Sequence, residues 1–426
     1  MKRRIALGMA AALFVTACAS TSGLDVRSDP DTTFTPVPVA EAPAFADVAA
    51  ASRAFGHDLL KSAEREDNLV LSPLSLTLAL GMLGEGASND AVAELRAALG
   101  AGGDEASAAM AAILTALQPY DADPGDFDPE AKPPDKPLLH VANQIVLDDE
   151  IDVVDDYLTR LKRYHDAGIA EADLGSDDGK KLLDAWVKHH SGGLIEESAI
   201  KPDPRLRAAL QNATLFAARW RVPFDEARDM PFTPPGGTTI QVPMVADDRR
   251  VPWVRVEDWE AIELAYTEDF TAVVILPPLG SDPAELPTPR LEAILTGLPG
   301  AKQSFIRMAM PTLNLATGLD LVPLLADNGV SALLDQGAQP LRGITAPADP
   351  SEDLALTQAV QQARLIVDEE GTIAAAVTEV GLGATSAPPQ PEVEFIVDRP
   401  YAFLIQHAET GLTLFHAVVR NPAATD

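Results

Sequence analysis

The chain has 426 residues, 32 of them Lys or Arg and 64 Asp or Glu, which gives a formal charge of −32 with histidine neutral. Because nucleic acid is held mainly by basic side chains that neutralise its phosphates, so acidic a surface excludes nucleic acid as a partner. Hydrophobic residues make up 46% of the chain, so it can bury a large core, and its acidity belongs to a solvated surface rather than to a disordered tail.

The first element in chain order is an export signal. Residues 1–4 carry the positive charge, and residues 5–15 form an apolar stretch that is too short to span a bilayer. Small residues then precede Cys18, the only cysteine, as in the lipobox of bacterial lipoproteins, whose cysteine is lipidated and becomes the mature N-terminus. We expect residues 1–17 to be removed and Cys18 to carry a lipid anchor; an ordinary signal peptide with an incidental cysteine is the alternative.

The anchor predicts a location. The protein is expected to be exported and attached to a bacterial membrane, with its body in the periplasm or at the cell surface. Ala19 follows the cysteine, which favours the outer membrane by resemblance to lipoprotein sorting in enteric bacteria. A single cysteine also excludes an intrachain disulfide and a Cys₄ or Cys₂His₂ metal site.

Residues 18–44 are rich in Pro, Ser, Thr and Asp without a helical period, which predicts a flexible tether before a single domain over residues 45–426. Apolar spacing in that domain predicts a strand at 68–72 and helices over 45–63, 75–83 and 89–99, then an Ala-rich helix that ends near Leu117. Residues 120–137 are dense in Asp and Pro, which predicts an exposed surface insertion that is either functional or disordered.

After Trp186 the pattern changes to strand-like runs separated by Pro and Gly turns, for example residues 261–266, 271–276 and 403–405. Helices first and strands later, without strict alternation, predict an α+β domain rather than a doubly wound sheet.

Catalytic signatures are scarce. G-x-S-x-G and H-E-x-x-H do not occur, and the single S-x-x-K match, Ser198 to Lys201, lacks the S-D-N and K-T-G partners of such a site. Of seven histidines only His189 and His190 are adjacent, and neighbours do not share a helix face, so we interpret the histidines as surface or capping residues. A Ser–His–Asp triad stays an open alternative, because the three residues of a triad meet in space and need not be close in sequence.

The segment after Gly371 is uncharged and has a period of two. One face collects small or apolar side chains, namely Thr372, Ala374, Ala376, Thr378, Val380 and Leu382. That face suits a half-buried strand able to enter between existing strands, whereas the flanking Gly and Pro residues are typical of an exposed loop. The segment therefore indicates two conformations; a short Ala helix or a plain linker is the alternative.

Short motifs spread over the body resemble those of the serpin family, in the same order. They lie at residues 68–75 (N-x-x-x-S-P-x-S), 139–143, 186–195, 212–224 (N-A-x-x-F-x-x-x-W-x-x-P-F), 242–244, 276–277, 399–405 and 421–422. Each motif is weak alone, and together they identify the chain as a member of that family. The resemblance implies about nine helices and three β-sheets, with an exposed reactive-centre loop at about residues 370–392.

The resemblance also implies an activity, which is inhibition rather than catalysis. A serine protease attacks the exposed loop, and the cleaved loop then enters the main sheet as a new strand and traps the acyl-enzyme. A charge at Thr372 would be buried unpaired on insertion, so an uncharged hinge is typical of inhibitory members. A non-inhibitory serpin that acts as a binding or structural protein is the alternative. The hinge corresponds to Glu369, Gly371, Thr372, Ala374, Ala375 and Ala376.

Family spacing from Glu369 places the reactive bond at Thr385–Ser386, with Ala384 as neighbour, and counting back from residues 391–395 gives a site two residues later. A small residue fits a shallow specificity pocket, which favours elastase-like or subtilisin-like proteases over trypsin-like ones. The expected partner is such a serine protease, or a cysteine protease, bound by a monomer without cofactor or metal.

The region where the main sheet opens corresponds to Ser72, Ser75, Asn212 and Gln361. Gln361 stands where the family has a histidine, and it is expected to hydrogen-bond to Ser75 or Asn212 without titrating. Glycosaminoglycan activation needs a basic helix, and residues 106–117 contain no Lys or Arg, so we exclude that partner.

Overall fold

The computed structural model describes residues 32–64, 68–148, 151–345, 353–372 and 390–424. The expected export signal lies outside these ranges, so Cys18 has no structural description here. The same holds for part of the expected hinge and for the expected reactive bond, namely Ala374, Ala375, Ala376, Ala384, Thr385 and Ser386. Within the described ranges no helix is both long and apolar enough to cross a membrane.

Eight α-helices lie in the described part of the chain, and the four that were expected before residue 120 are confirmed. Local sequence explains their ends, because the Ser72 hydroxyl accepts a hydrogen bond from the Ser75 amide at one helix start and Gly100 takes a left-handed φ of 75° after another helix. The helices are α1 (Phe45–Ser62), α2 (Pro73–Glu85), α3 (Asp90–Leu99), α4 (Asp104–Leu117), α5 (Asp155–His165), α6 (Asp177–His190), α7 (Thr288–Gly297) and α8 (Leu321–Asp327).

The strands of the described residues form two hydrogen-bonded sheets. They are β1 (Leu69–Leu71), β2 (Leu138–Leu147), β3 (Gly168–Glu171), β4 (Ala208–Arg219), β5 (Arg228–Phe232), β6 (Ile240–Val256), β7 (Trp259–Ala265), β8 (Phe270–Leu276), β9 (Gln303–Pro311), β10 (Leu313–Asp320), β11 (Val360–Val367), β12 (Gly371–Thr372), β13 (Val393–Ile396), β14 (Tyr401–His407) and β15 (Leu412–Val419). One sheet has six strands in the order β10-β11-β12-β4-β2-β3. The other has nine, in the order β1-β15-β14-β8-β7-β6-β9-β13, with β5 paired to β6.

The α+β class is confirmed, and one long strand accounts for the difference between two observed sheets and three expected ones. β6 has 17 residues and pairs with β5 and β9 along its first part and with β7 over its last four residues. It thereby joins what were expected to be two smaller sheets into one.

The nine-stranded sheet is buried on both faces at its centre, which explains the continuous apolar runs of β8 and β14. Val273 and Ile275 pack in a cluster with residues of α7, whereas the alternate residues Ala272 and Val274 face the main core between the two sheets. Both faces of such a strand are buried, so apolar and polar residues need not alternate along it.

The packed body begins before residue 45, so the boundary expected for the tether is too late. The Thr35 amide donates to the Arg163 carbonyl at 2.9 Å, and the Val37 amide donates to the Thr115 hydroxyl at 3.0 Å. Ala42 is buried. The described end of the expected tether therefore lies along α4 and α5.

Candidate functional site

The expected hinge lies inside the six-stranded sheet. Gly371 and Thr372 form β12, in which Thr372 is paired with Val367 of β11 on one side and with Ala218 of β4 on the other. Gly371 is paired with Arg219. The first residues of the expected loop thus already occupy the position of a strand between β11 and β4.

A tight turn reverses the chain between β11 and β12. The Asp368 amide donates to the Gly371 carbonyl at 2.9 Å, and the Asp368 carboxylate accepts from the amides of Glu370 and Gly371 at 2.9 and 3.1 Å. Burial raises the pKa of Asp368 to about 6, while these two amide donors favour its charged form. The turn is therefore held by its own first side chain.

Thr372 fits its position because it is small and uncharged. Its side chain is buried, and its hydroxyl lies 2.6 Å from the Tyr266 hydroxyl. Tyr266 stacks on Trp220 with ring centroids 4.2 Å apart, and the Trp220 indole N–H donates to the Asp368 carbonyl at 2.9 Å. An aromatic pair therefore supports both the turn and the first inserted side chain.

Glu369 and Gly371 are held by neighbouring backbone. The Glu369 carboxylate accepts from the Ala227 amide at 2.8 Å, and its carbonyl accepts from the Phe224 amide at 2.9 Å. A Cβ at position 371 would lie 2.1 Å from the Ala218 carbonyl oxygen, a distance that no side chain tolerates. Glycine is therefore required there by close backbone approach.

Below the hinge, the six-stranded sheet has a gap. β4 pairs with β2 and β12, and β11 pairs with β10 and β12, so among the described residues β4 and β11 are bridged only by the two residues of β12. A cavity of about 150 Å³ lies between them, with Ser75 of α2, Asn212 and Thr214 of β4 and Gln361 of β11 in its lining.

The residues of the expected opening region surround this cavity. Gln361 accepts from the Ser72 amide at 2.7 Å and donates to the Ser72 carbonyl at 3.0 Å, and the Ser75 hydroxyl lies 2.8 Å from the Thr214 hydroxyl. The partner expected for Gln361 is wrong, because both its side-chain oxygen and its side-chain nitrogen bond to the Ser72 backbone instead. Asn212 instead donates to Asn143 at 2.6 Å, and its buried side-chain oxygen has no partner among the described residues.

Two further glutamines fasten the connection after α6, residues 194–201, across the outer side of the gap. Gln358 bonds to both the amide and the carbonyl of Lys201, at 2.9 and 3.0 Å. Gln362 accepts from the Ala199 amide at 2.7 Å and donates to the Glu197 carbonyl at 3.0 Å. The sequence signal that could have revealed these contacts is the recurrence of Gln at positions 358, 361 and 362.

Sequence reasoning missed the anchoring roles of Trp220, Tyr266 and Asp368. In the sequence Trp220 stands only in a motif, and the other two lie in ordinary strand and turn patterns. Nothing in their local sequence indicates that they meet, because Trp220 and Asp368 are far apart along the chain.

The interpretation of the histidines as surface or capping residues is wrong for most of them. His57, His165, His407 and His416 are buried. The Nε2 atom of His140 lies 2.9 Å from Nδ1 of His190, a pair that sequence order could not show. In the described ranges no group of three or more His, Cys, Asp or Glu side chains is arranged to hold a metal ion.

A family model described as "Serpin (serine protease inhibitor)" matches residues 50–422. The leukocyte elastase inhibitor of Bos taurus is 27% identical over 405 residues, which cover 88% of this chain and 99% of that protein. Neuroserpin of Mus musculus is 24% identical over 383 residues, which cover 85% of this chain and 88% of that protein.

Solved structures show the same fold. The native state of a thermophilic serpin, tengpin, has a TM-score of 0.75 at 22% identity and covers 94% of this chain and 99% of that one. Human thyroxine-binding globulin in complex with its ligand has a TM-score of 0.74 at 20% identity, and the match covers 89% of this chain and 100% of that one. At such identities the likeness concerns the fold alone.

Proposed function

The chain belongs to the serpin family, and from this premise we propose that it inhibits a serine-type endopeptidase by acting as a suicide substrate. The family is generally one of protease inhibitors and not of enzymes. The proposed target is elastase-like or subtilisin-like, or a cysteine protease, and it attacks the bond between Thr385 and Ser386.

The chemistry comes from the target protease. Its nucleophilic oxygen, or sulfur in a cysteine protease, bonds to the carbonyl carbon of Thr385, the bond to the Ser386 nitrogen breaks, and that nitrogen takes up the proton from the protease's general acid. The inhibitor contributes no catalytic residue. It contributes a loop that, once cut, enters the sheet and moves the attached protease before water completes the hydrolysis.

The observation that carries the proposal is the position of the hinge. Gly371 and Thr372 occupy a strand position between β4 and β11, directly above a gap in which those two strands have no pairing among the described residues. A chain that continued from Thr372 into the gap would find unpaired strand edges on both sides. Pairing with both edges would satisfy backbone groups and cover apolar surface, which favours insertion.

The side chains around the gap support the same proposal. Asn212 lines the cavity, and its buried oxygen lacks a hydrogen-bond partner among the described residues. Ser75 and Thr214 are small and polar, so they leave room for a strand and lose little by its arrival. The uncharged residues 372–376 are compatible with burial at this place.

The test is incubation of the purified full chain with elastase-like and subtilisin-like proteases, followed by a denaturing gel. A covalent band at the summed mass of inhibitor and protease is expected, and it should disappear when the protease's nucleophile is blocked beforehand. Cleavage of the loop by every protease without such a band would contradict the inhibitory function.

A non-inhibitory serpin is the second candidate. The likeness to thyroxine-binding globulin shows that the fold also occurs in a protein named for ligand binding. Cleavage separates the two candidates, because an inhibitor becomes more heat-stable when its cut loop inserts. A cleaved chain whose melting temperature is unchanged would favour the second candidate.

We also propose that the protein is an exported bacterial lipoprotein, anchored through Cys18, with its body outside the cytoplasm. The support is the basic start, the short apolar stretch and the single cysteine after small residues. Cys18→Ala should move the protein from the membrane fraction to the soluble fraction. Unchanged fractionation together with the absence of radiolabelled lipid on the wild-type chain would contradict the anchor.

A further inference from the structure

Two histidines fasten the end of α6 to the six-stranded sheet. Nε2 of His140 on β2 lies 2.9 Å from Nδ1 of His190, the last residue of α6, and the two rings are stacked with centroids 5.2 Å apart. Nδ1 of His140 lies 2.7 Å from the carboxylate of Asp121, in the connection between α4 and β2. Asp121, His140 and His190 therefore join three segments that are remote from one another in sequence.

The two rings are enclosed by their surroundings. The Trp186 and His189 rings of α6 have their centroids 4.4 and 4.8 Å from that of His190. Only 13% of the His140 side chain is exposed, and His190 is half-buried. Because enclosed polar atoms need partners, the two facing nitrogens depend on each other for their hydrogen bond.

The number of protons on the two rings decides whether this bond can exist. A carboxylate only accepts hydrogen bonds, so Nδ1 of His140 carries a hydrogen and donates it to Asp121. Between Nε2 of His140 and Nδ1 of His190, one hydrogen makes a bond, whereas two hydrogens face each other without an acceptor. The bond therefore exists while the rings are neutral or carry one positive charge between them, and it is lost when both are protonated.

From this geometry we propose that His140 and His190 form an acid-sensitive latch, which holds the end of α6 on β2 near neutral pH and releases it when both rings are protonated. With two protons the rings lose their hydrogen bond and carry like charges that repel each other. Asp121 can accept from His140 in either state, so the joint that opens is the one between β2 and α6. The latch is a property of the fold and needs no protease.

Charged groups face the latch from the elements packed against it, and they set the pH at which His190 is protonated. They are His189 on α6, Asp121 and Asp123 in the connection between α4 and β2, and, facing Asp121, Asp166 and Lys162 at the end of α5. On β4 the uncharged Leu215 is paired with His140. Burial, followed by the charges of His140 and His189, lowers the pKa of His190 to about 3, against the opposite effect of Asp121 and Asp123.

Opening of the latch is therefore coupled to proton uptake. Once released, His190 has the ordinary histidine pKa of about 6.5, so the open state binds a proton that the closed state binds only near pH 3. The equilibrium constant for opening should rise by up to about tenfold for each pH unit as the pH falls from 6.5 towards 3. Between pH 7 and pH 5 the expected increase is about 25-fold.

The test is amide hydrogen exchange of the full chain at pH 7 and pH 5, in fragments that cover residues 186–193. The amides of Ser191 and Gly193 bond to the last turn of α6 at 2.9 and 2.8 Å, so their exchange reports its release. Wild type is compared with His190→Gln, because glutamine can donate to or accept from His140 and does not titrate. The ratio of the two rates cancels the intrinsic effect of pH on exchange and should rise about 25-fold from pH 7 to pH 5.

His189→Gln is the matched control, because His189 is adjacent and exposed while the bond to His140 comes from His190. This variant should keep the wild-type response to pH. A ratio of wild-type to His190→Gln rates that is the same at both pH values, with both proteins folded by circular dichroism, would overturn the proposal.

Nitrogen NMR of the imidazole rings provides the second test and needs no variant at position 190. His190 should stay neutral to below pH 5 in the wild type, and His140→Gln, which removes a neighbouring charge, should raise the pH at which it titrates. A His190 that titrates near pH 6.5 in the wild type would also overturn the proposal. Because neither measurement uses a protease, the latch can be confirmed in a chain that inhibits nothing and refuted in one that inhibits.

Discussion

The hydroxyl oxygens of Thr372 and Tyr266 lie 2.6 Å apart in the interior of the molecule, where both side chains are buried. Burial raises the pKa of the Tyr266 phenol, so it stays neutral and can donate. The first hinge side chain in the sheet therefore has a partner that matches a small hydroxyl and that would not match a charged or apolar group.

Thr372→Arg should convert the inhibitor into a substrate. The buried site beside the Tyr266 hydroxyl holds a small neutral side chain, so a guanidinium there is desolvated at a cost of several kcal/mol and the cleaved loop cannot insert. On a denaturing gel the covalent band should vanish while the cleaved band remains. Thr372→Ser is the control that should keep the covalent band, and persistence of that band in the arginine variant would refute insertion at this place.

Gly371→Ala should expel the hinge from the sheet, because the new Cβ would lie 2.1 Å from the Ala218 carbonyl oxygen. Relief of that clash requires backbone movement, and such overpacking costs about 1–3 kcal/mol. Hydrogen exchange in residues 366–372 should accelerate by about 5- to 150-fold, the factor that corresponds to this cost. Gly318→Ala, in β10 of the same sheet, is the control, since a Cβ there meets nothing within 4 Å.

Gln361→Leu should destabilise the protein by about 1–3 kcal/mol, because it leaves the buried Ser72 amide without its partner, whereas the Ser72 carbonyl keeps the Leu76 amide as a donor. The measurement is the midpoint of urea unfolding at pH 7.5. Arg364→Leu on the same strand, which removes a half-exposed contact with Asn314, is the comparison and should shift the midpoint less. Equal shifts would contradict the prediction, because they would mean that the buried contact with Ser72 stabilises the protein no more than the half-exposed contact with Asn314.

Removing the Arg420 side chain should lower the free energy of unfolding by about 3–5 kcal/mol, the usual effect of breaking a buried ion pair. Arg420 is 1% exposed, and its guanidinium binds both carboxylate oxygens of Asp282, at 2.6 and 2.9 Å. Arg420→Ala is measured by urea unfolding. Arg205→Ala removes a similar pair with Asp203 on the surface and should leave the midpoint unchanged, so a small effect at both positions would contradict the prediction.

Acidification should destabilise the fold between pH 7 and pH 5. Burial lowers the pKa of His57, His407 and His416, and that of His190 to about 3. Below pH 6.5 the unfolded chain therefore binds protons that the folded chain does not, which favours unfolding by at most about 1.4 kcal/mol per pH unit for each group. The raised pKa of Asp368, to about 6, acts in the opposite direction and offsets part of the loss.

Urea unfolding midpoints at pH 7.5, 6.5 and 5.5 check this pH dependence. The midpoint should fall at each step, and His416→Gln should reduce the slope, whatever it does to the midpoint at pH 7.5. A midpoint that is independent of pH over this range would show that protonation of these histidines does not destabilise the fold.

Local sequence patterns were sufficient to predict the structure where the conformation of a segment depends mainly on its own residues. The helices before residue 120 follow from apolar spacing and from caps such as Ser72 and Gly100, and the buried strands follow from apolar runs between turns. The need for a small, uncharged residue at position 372 also followed from sequence, because burial of a charge is costly in any fold. The reactive bond and Cys18 stay predictions.

What the sequence by itself determined about this protein is its class, its family and the chemistry allowed at the hinge, since these depend on composition, order and side-chain type. Tertiary structure decided which residues meet. The Gln361 amide could have bonded to several neighbours, and only the distance between α2 and β11 selects the Ser72 backbone. Likewise, an Asp- and Pro-rich segment has no pattern of its own, and packing alone places Lys132 beside Glu370, because contacts between remote segments depend on the path of the whole chain.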